Sequence, residues 1–185
     1  DGLTGLFNRS YFNTLCDVMQ NNPDVKAIGI ILVDVDYFKE YNDLYGHYKG
    51  DELLRRVALC LDENGDSRFF AARYGGDEFI CLCVNTEKEE IESYLKRVYE
   101  DLSWLISSMP HPLQLLLPPY LSDIPCLIMM KALIWKLHHD GGYGTLSGKK
   151  QRKKPTQLLL IDYVRNDRCL YGGFLQYKIQ YLLYN

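Results

Sequence analysis

Glutamate is absent from the last 85 residues of this 185-residue chain, whereas 19 acidic residues crowd the first hundred. Proline is nearly missing from the first half, since six of the seven lie beyond residue 100. No C-x-x-C pair occurs among the six cysteines (16, 60, 81, 83, 126 and 169). That argues against a zinc site or a disulfide framework and reads as reduced thiols of a cytoplasmic domain. No uninterrupted apolar stretch approaches the roughly 18 residues that a membrane span needs, and no signal peptide opens the chain. The parent protein's membrane attachment stays open. Charge of neither sign dominates: the net of −3 gives no reason to expect a nucleic-acid surface. An initiating methionine is also lacking. The chain opens with Asp1, which reads as a piece of a longer protein.

The two halves differ in chemistry. Residues 1–100 carry a net charge of −8 and residues 101–185 a net of +5, with 18 leucines in the second half. Leu115-Leu116-Leu117-Pro118-Pro119 and Leu158-Leu159-Leu160 are apolar blocks with neither helical nor strand alternation. The first half has clean periodicity. Asn8 is a helix N-cap, with Tyr11, Phe12, Leu15, Val18 and Met19 following at helical spacing. Asn21-Asn22-Pro23-Asp24 is a turn. Residues 26–34 form a strand whose apolar run implies burial on both faces. A short helix spans Phe38 to about Tyr45 and breaks at Gly46. A second runs from about Gly50 to Leu61, with Leu53, Leu54, Val57, Ala58 and Leu61 on one face. Residues 68–74 and 78–84 make a hairpin. Thr86-Glu87-Lys88-Glu89 is a capping box opening a helix with Ile91, Leu95, Val98 and Leu102 inward. The order α, β, α, α, β, β, α predicts an α+β fold, an antiparallel sheet with helices packed on it.

Chemistry concentrates at Arg73-Tyr74-Gly75-Gly76-Asp77-Glu78-Phe79. Two adjacent glycines allow a tight reversal between apolar strands, and two carboxylates sit on that reversal. Asp34 and Asp36 end the apolar run Ala27–Val33. If the runs are neighbouring strands, these carboxylates converge on one sheet edge. Mg²⁺ takes hard oxygen ligands and is commonly shared with substrate phosphates. Asp34 or Asp77 alone would read first as a turn-capping acid.

Three motifs in order carry a resemblance. They are Asp1-x-Leu3-Thr4-Gly5-Leu6-x-Asn8-Arg9, the run from Asp34-Val35-Asp36-x-Phe38-Lys39 through Asn42-Asp43, Gly46-His47 and Gly50-Asp51, and the Arg73–Phe79 signature. Over about residues 1–102 the chain resembles the GGDEF domain of bacterial diguanylate cyclases, nucleotidyltransferases that join two GTP molecules into cyclic di-GMP for signal transduction. The resemblance implies a nucleotidyl-cyclase-like fold, a ferredoxin-like palm with a mainly antiparallel central sheet flanked by helices. It implies a Mg²⁺ (or Mn²⁺) site at Asp34, the Val35 carbonyl and Asp77. Glu78 then deprotonates the attacking 3′-hydroxyl or assists the metal. Asn42 and Asp51 match the guanine-reading pair, and Asp51 doubles as a first-turn acid of its helix. The backbone at Tyr37-Phe38-Lys39 matches the loop that holds the β- and γ-phosphates. Lys39 adds a point charge there or is an ordinary solvated lysine. His47 reads as structural, and Phe79 as core. The resemblance also implies a homodimer, with one GTP per subunit, and a sensor domain upstream.

The chain departs from the family in two places. The slots of the inhibitory Arg-x-x-Asp site hold Asp66 and Phe69, so product inhibition through that site is not expected. After residue 102, the Ser-x-Gly strand, the Ala-Asp-x-Ala-Leu-Tyr-x-Ala-Lys helix and the Gly-Arg-Asn close are not found. The basic run 149–155, His138-His139 and Tyr143 match nothing in the family. Without that strand, the one at 26–34 would show an open edge, so residues 103–185 must supply a substitute or the domain is incomplete. Two accounts of 103–185 stay open: a shifted reading frame near residue 103, or a divergent extension. Three functional readings follow: an active cyclase, an inactive GTP-binding signalling module, or a truncated product without function.

Overall fold

The structure, a computed structural model, describes residues 1–108, 128–136 and 158–163. In chain order the elements are β1 (Phe7–Asn8), α1 (Arg9–Asn21), β2 (Ala27–Val35), α2 (Phe38–Tyr45), α3 (His47–Glu63), β3 (Phe69–Arg73), β4 (Glu78–Val84), α4 (Lys88–Ser108), β5 (Ile128–Lys136) and β6 (Leu158–Tyr163). The predicted strand, short helix and hairpin lie within a residue or so of these bounds. The helix expected from about Gly50 starts at His47. Gly46, with φ of +83°, takes the sharp corner between α2 and α3 in a conformation that favours glycine, so α3 begins at once.

The strands form one six-stranded sheet in the order β1-β3-β4-β2-β5-β6, parallel only between β1 and β3. β2 therefore lies inside the sheet. Its buried pattern on both faces agrees with the near-continuous apolar run. One face carries Ile31, Val33, Val35, Phe79, Cys81 and Cys83 against α3 and α4, with Tyr41 of α2 packed in. The other carries Ile28, Ile30, Ile80 and Leu82 against Phe12 of α1. Ile91, Leu95, Val98 and Leu102 all face the first of these cores.

β5 pairs antiparallel along the whole of β2, from Ala27 opposite Lys136 to Val35 opposite Ile128. The edge that the motif pattern left open is thus filled from within residues 103–185. Helix α4 crosses residue 102 without a break. The Leu158–Leu160 block lies in β6. The block 115–119, the basic run 149–155, His138-His139 and Tyr143 lie outside the described residues.

Asn8 caps α1 as expected, its side chain accepting from the Tyr11 N–H at 2.9 Å. The capping box of α4 is displaced by one residue. Glu90, not Glu89, reaches back, its carboxylate accepting from the Glu87 N–H at 2.8 Å. The cause lies just upstream. Asn85 adopts a left-handed conformation with φ of +52°. Its side chain accepts from the Lys26 N–H and donates to the Asp24 carbonyl. This lock buries Thr86 and delays the helix start. The four described cysteines are free, and Cys81 and Cys83 lie in the core. No helix among the described residues is long and apolar enough to cross a membrane.

Candidate functional site

The site is built at one end of the β2–β4 ladder. Antiparallel pairing sets Asp34 directly opposite Glu78, so the two acids leave the sheet on the same face. The next rung is Val35, whose N–H donates to the Asp77 carbonyl at 3.3 Å. Like charges directly opposite one another cost stability, so this end of the sheet was not shaped for stability alone. Asp36 adds to the crowding. Partial burial, and then the neighbouring charge of Asp77, push its carboxyl up to about 6. Its place near Asp77 is the convergence on one sheet edge expected of the Asp34–Asp36 pair.

The hairpin tip is held by its backbone and by one arginine. The N–H groups of Tyr74 and Gly75 donate to the Glu78 carbonyl at 2.8 and 3.1 Å. Arg73 donates through Nε and Nη2 to the Gly76 carbonyl, and through Nη1 to Asp1 Oδ1 at 3.3 Å. That same oxygen accepts from the N–H groups of Leu3 and Thr4, and from the Thr4 hydroxyl. The first motif and the signature are thereby one assembly. Arg9 completes it, its guanidinium 4.7 Å from the Tyr74 ring centroid.

Beyond Asp36 the chain turns through Tyr37, a non-glycine residue with φ of +58° and no side-chain cap on the helix that follows. Strain of this kind persists only where the surroundings impose it. The first N–H groups of α2, at Phe38 and Lys39, lie next to the acidic end of the sheet. Lys39 is exposed, and the Phe38 ring packs against the core. Asn42 lies one turn further along α2, and Asp51 in the first turns of α3, both half-buried. The Asn42 Oδ1 is buried and has no hydrogen-bond partner among the described residues. His47, the first residue of α3, is exposed.

Can this end hold Mg²⁺? Among the described residues no three His, Cys, Asp or Glu side chains form a ready-made metal cage. Mg²⁺ does not need one, because it is typically held by one or two carboxylates, waters and substrate phosphates. The hard oxygens of Asp34, Asp77 and the Val35 carbonyl, in a neighbourhood with surplus negative charge, fit that mode. The two slots of the inhibitory motif are engaged elsewhere. Asp66 pairs with Arg68 at 2.7 Å, and the Phe69 ring stacks on Tyr94 with centroids 4.5 Å apart.

The family model for the diguanylate cyclase GGDEF domain matches residues 1–115. The cyclic di-GMP phosphodiesterase PdeR of Escherichia coli (strain K12) is 40% identical over 98 residues, 53% of this chain and 15% of PdeR. The diguanylate cyclase DosC of Shigella sonnei (strain Ss046) is 36% identical over 100 residues, 53% of this chain and 22% of DosC. The chain thus spans less than a quarter of the length of these relatives. Among solved structures, the coiled coil and GGDEF domain of DgcB from Caulobacter crescentus, in complex with c-di-GMP, superposes with a TM-score of 0.55 at 27% identity. That match covers 72% of this chain and 66% of the DgcB chain.

Proposed function

The chain belongs to the GGDEF domain family of diguanylate cyclases, and from that premise we propose that it condenses two GTP molecules into cyclic di-GMP. The observation that best supports this reading is the gathering of Asp34, Asp36, Asp77 and Glu78 at one end of the β2–β4 ladder, next to the start of α2. In each of two steps, a 3′-hydroxyl of one nucleotide forms a bond to the α-phosphorus of the other, and the bond to pyrophosphate breaks. Two GTP yield one cyclic dinucleotide and two pyrophosphates.

Each group has a task in this reading. Asp34, Asp77 and the Val35 carbonyl would hold Mg²⁺ or Mn²⁺. Such an ion neutralises charge on the triphosphate and on the departing pyrophosphate. Glu78 accepts the proton that the 3′-hydroxyl loses, or assists at the metal. The N–H groups of Phe38 and Lys39 receive the terminal phosphates at the start of α2. Asp51 accepts from the N–H groups on guanine's Watson–Crick edge, and Asn42 completes the reading of the base. Adenine lacks those donors and would leave buried acceptors unpaired. One subunit offers one such site, so two copies must face each other for the paired attack, and GTP-loaded homodimers are the working form. An upstream sensor domain would govern that approach.

A second reading is favoured by one finding: a relative 40% identical over the matched region is named for breaking cyclic di-GMP down. In that reading the chain binds GTP without turnover and relays a signal. Incubation with GTP and Mg²⁺, followed by chromatography, separates the two. Cyclic di-GMP and pyrophosphate in the products support the cyclase. GTP binding without product supports the module and rejects the cyclase.

A further inference from the structure

We infer that Gly50 is a specificity-determining position: its missing side chain leaves the space in which the Asn42 amide stands, and so keeps Asn42 aligned with Asp51. This rests on the reading of Asn42 and Asp51 as the guanine pair.

Gly50 is buried, and it occupies the fourth position of the 17-residue helix α3. Glycine is the poorest helix former after proline, so its presence inside a helix asks for a reason. Backbone conformation does not supply one. Among the described residues the glycines with positive φ are Gly5 and Gly46, and Gly50 is not among them. Space does supply one. A Cβ on Gly50 would collide with Asn42 Oδ1, and would lie 2.9 Å from Asn42 Cγ and 3.1 Å from Phe38 Cζ. At Gly46, by contrast, a Cβ would meet nothing within 4 Å, so that corner needs its glycine for φ alone. The two glycines bound one corner and serve different physical ends.

The Asn42 amide, at the tip of a short side chain, is what would give way to a new methyl group. The fold then survives, because the backbones of α2 and α3 need not part. Recognition does not survive, because the amide leaves the position from which it reads the base. A displacement near 1 Å is enough to break paired hydrogen bonding. Alanine at position 50 would in fact favour the helix. The site thus accepts a weaker helix in exchange for a correctly placed amide.

The test is equilibrium binding of 3′-deoxy-GTP and 3′-deoxy-ATP, which cannot be condensed, to the full chain in Mg²⁺. Four forms are compared: wild type, Gly50→Ala, Asn42→Ala and the double variant. Gly50→Ala is expected to lose about tenfold or more in affinity for the guanine analogue while holding the adenine analogue within about twofold. In the Asn42→Ala background the same change is expected to cost no more than about twofold, because the obstructing amide is gone. Melting temperature should stay level or rise. Wild-type preference in Gly50→Ala overturns the inference, as does an equal loss in both backgrounds. If Gly50→Ala does not fold, a double variant that also fails assigns the glycine to helix packing and rejects a role through Asn42. A wild type without guanine preference rejects the guanine pair itself, which is a different failure.

Discussion

The two ends of the proposed nucleotide site are held by different physics. At the phosphate end, position follows from strand register: Asp34 faces Glu78, and Val35 bonds Asp77, through a ladder set by the backbone. At the base end, position follows from side-chain clearance, where α2 and α3 meet and Asn42 stands against Gly50. A ladder tolerates side-chain substitution, because its bonds do not pass through side chains. Where α2 meets α3, by contrast, the placement of one side chain depends on the size of its neighbour. Substitutions at the phosphate end should therefore remove chemistry and leave architecture intact, whereas those at the base end should alter what is bound.

Asp77→Ala offers the sharpest break. Turnover of GTP should fall by about a hundredfold or more, with the melting temperature unchanged, as read by chromatography and thermal unfolding. Wild-type turnover would remove Asp77 from the metal set. Next in size, Asp51→Ala should lower the preference for GTP over ATP by about tenfold or more in competition binding. An unchanged preference would mean that the base end reads nothing through this residue. Tyr94→Phe tests whether the helices behind the base end matter separately. The Tyr94 hydroxyl donates to the Leu61 carbonyl at 2.8 Å, tying α4 to α3 in the core. Its loss should cost about 1 kcal/mol in denaturant unfolding. Any effect on binding should show in guanine preference before it shows in metal affinity. Smallest of all is the effect of added cyclic di-GMP. With Asp66 paired to Arg68 and Phe69 stacked on Tyr94, product should barely inhibit initial rates. Strong inhibition would require a second product site.

The order of elements from α1 to α4 and the bounds of β2, β3 and β4 were legible because apolar periodicity and glycine turns dictate them locally, whereas the two-residue β1 and its parallel pairing with β3 were not expected. The Asp34–Glu78 convergence was legible only conditionally, since it needed β2 and β4 to be neighbours. What escaped depended on contacts distant in sequence. Asn85 locks onto Asp24 and Lys26, some sixty residues away, and so moves the start of α4. Asn tolerates positive φ, and that was the available signal. Arg73 reads as one residue of a signature, yet it clamps both Gly76 and Asp1. The strain at Tyr37 leaves no sequence trace, because tyrosine carries no preference for that conformation. The pairing of β5 with β2 was expected only as a need, without an address in residues 103–185.

Flanked by β4 on one side and β5 on the other, β2 is stitched at both margins, and the rung bearing Asp34 is stitched with it. Deforming the acidic end in order to silence it would mean unzipping two ladders at once. A switch acting on this domain would spend far less by changing how near two intact copies stand. Under the proposed two-copy reaction, such a strand would favour control by separation over deformation of either half.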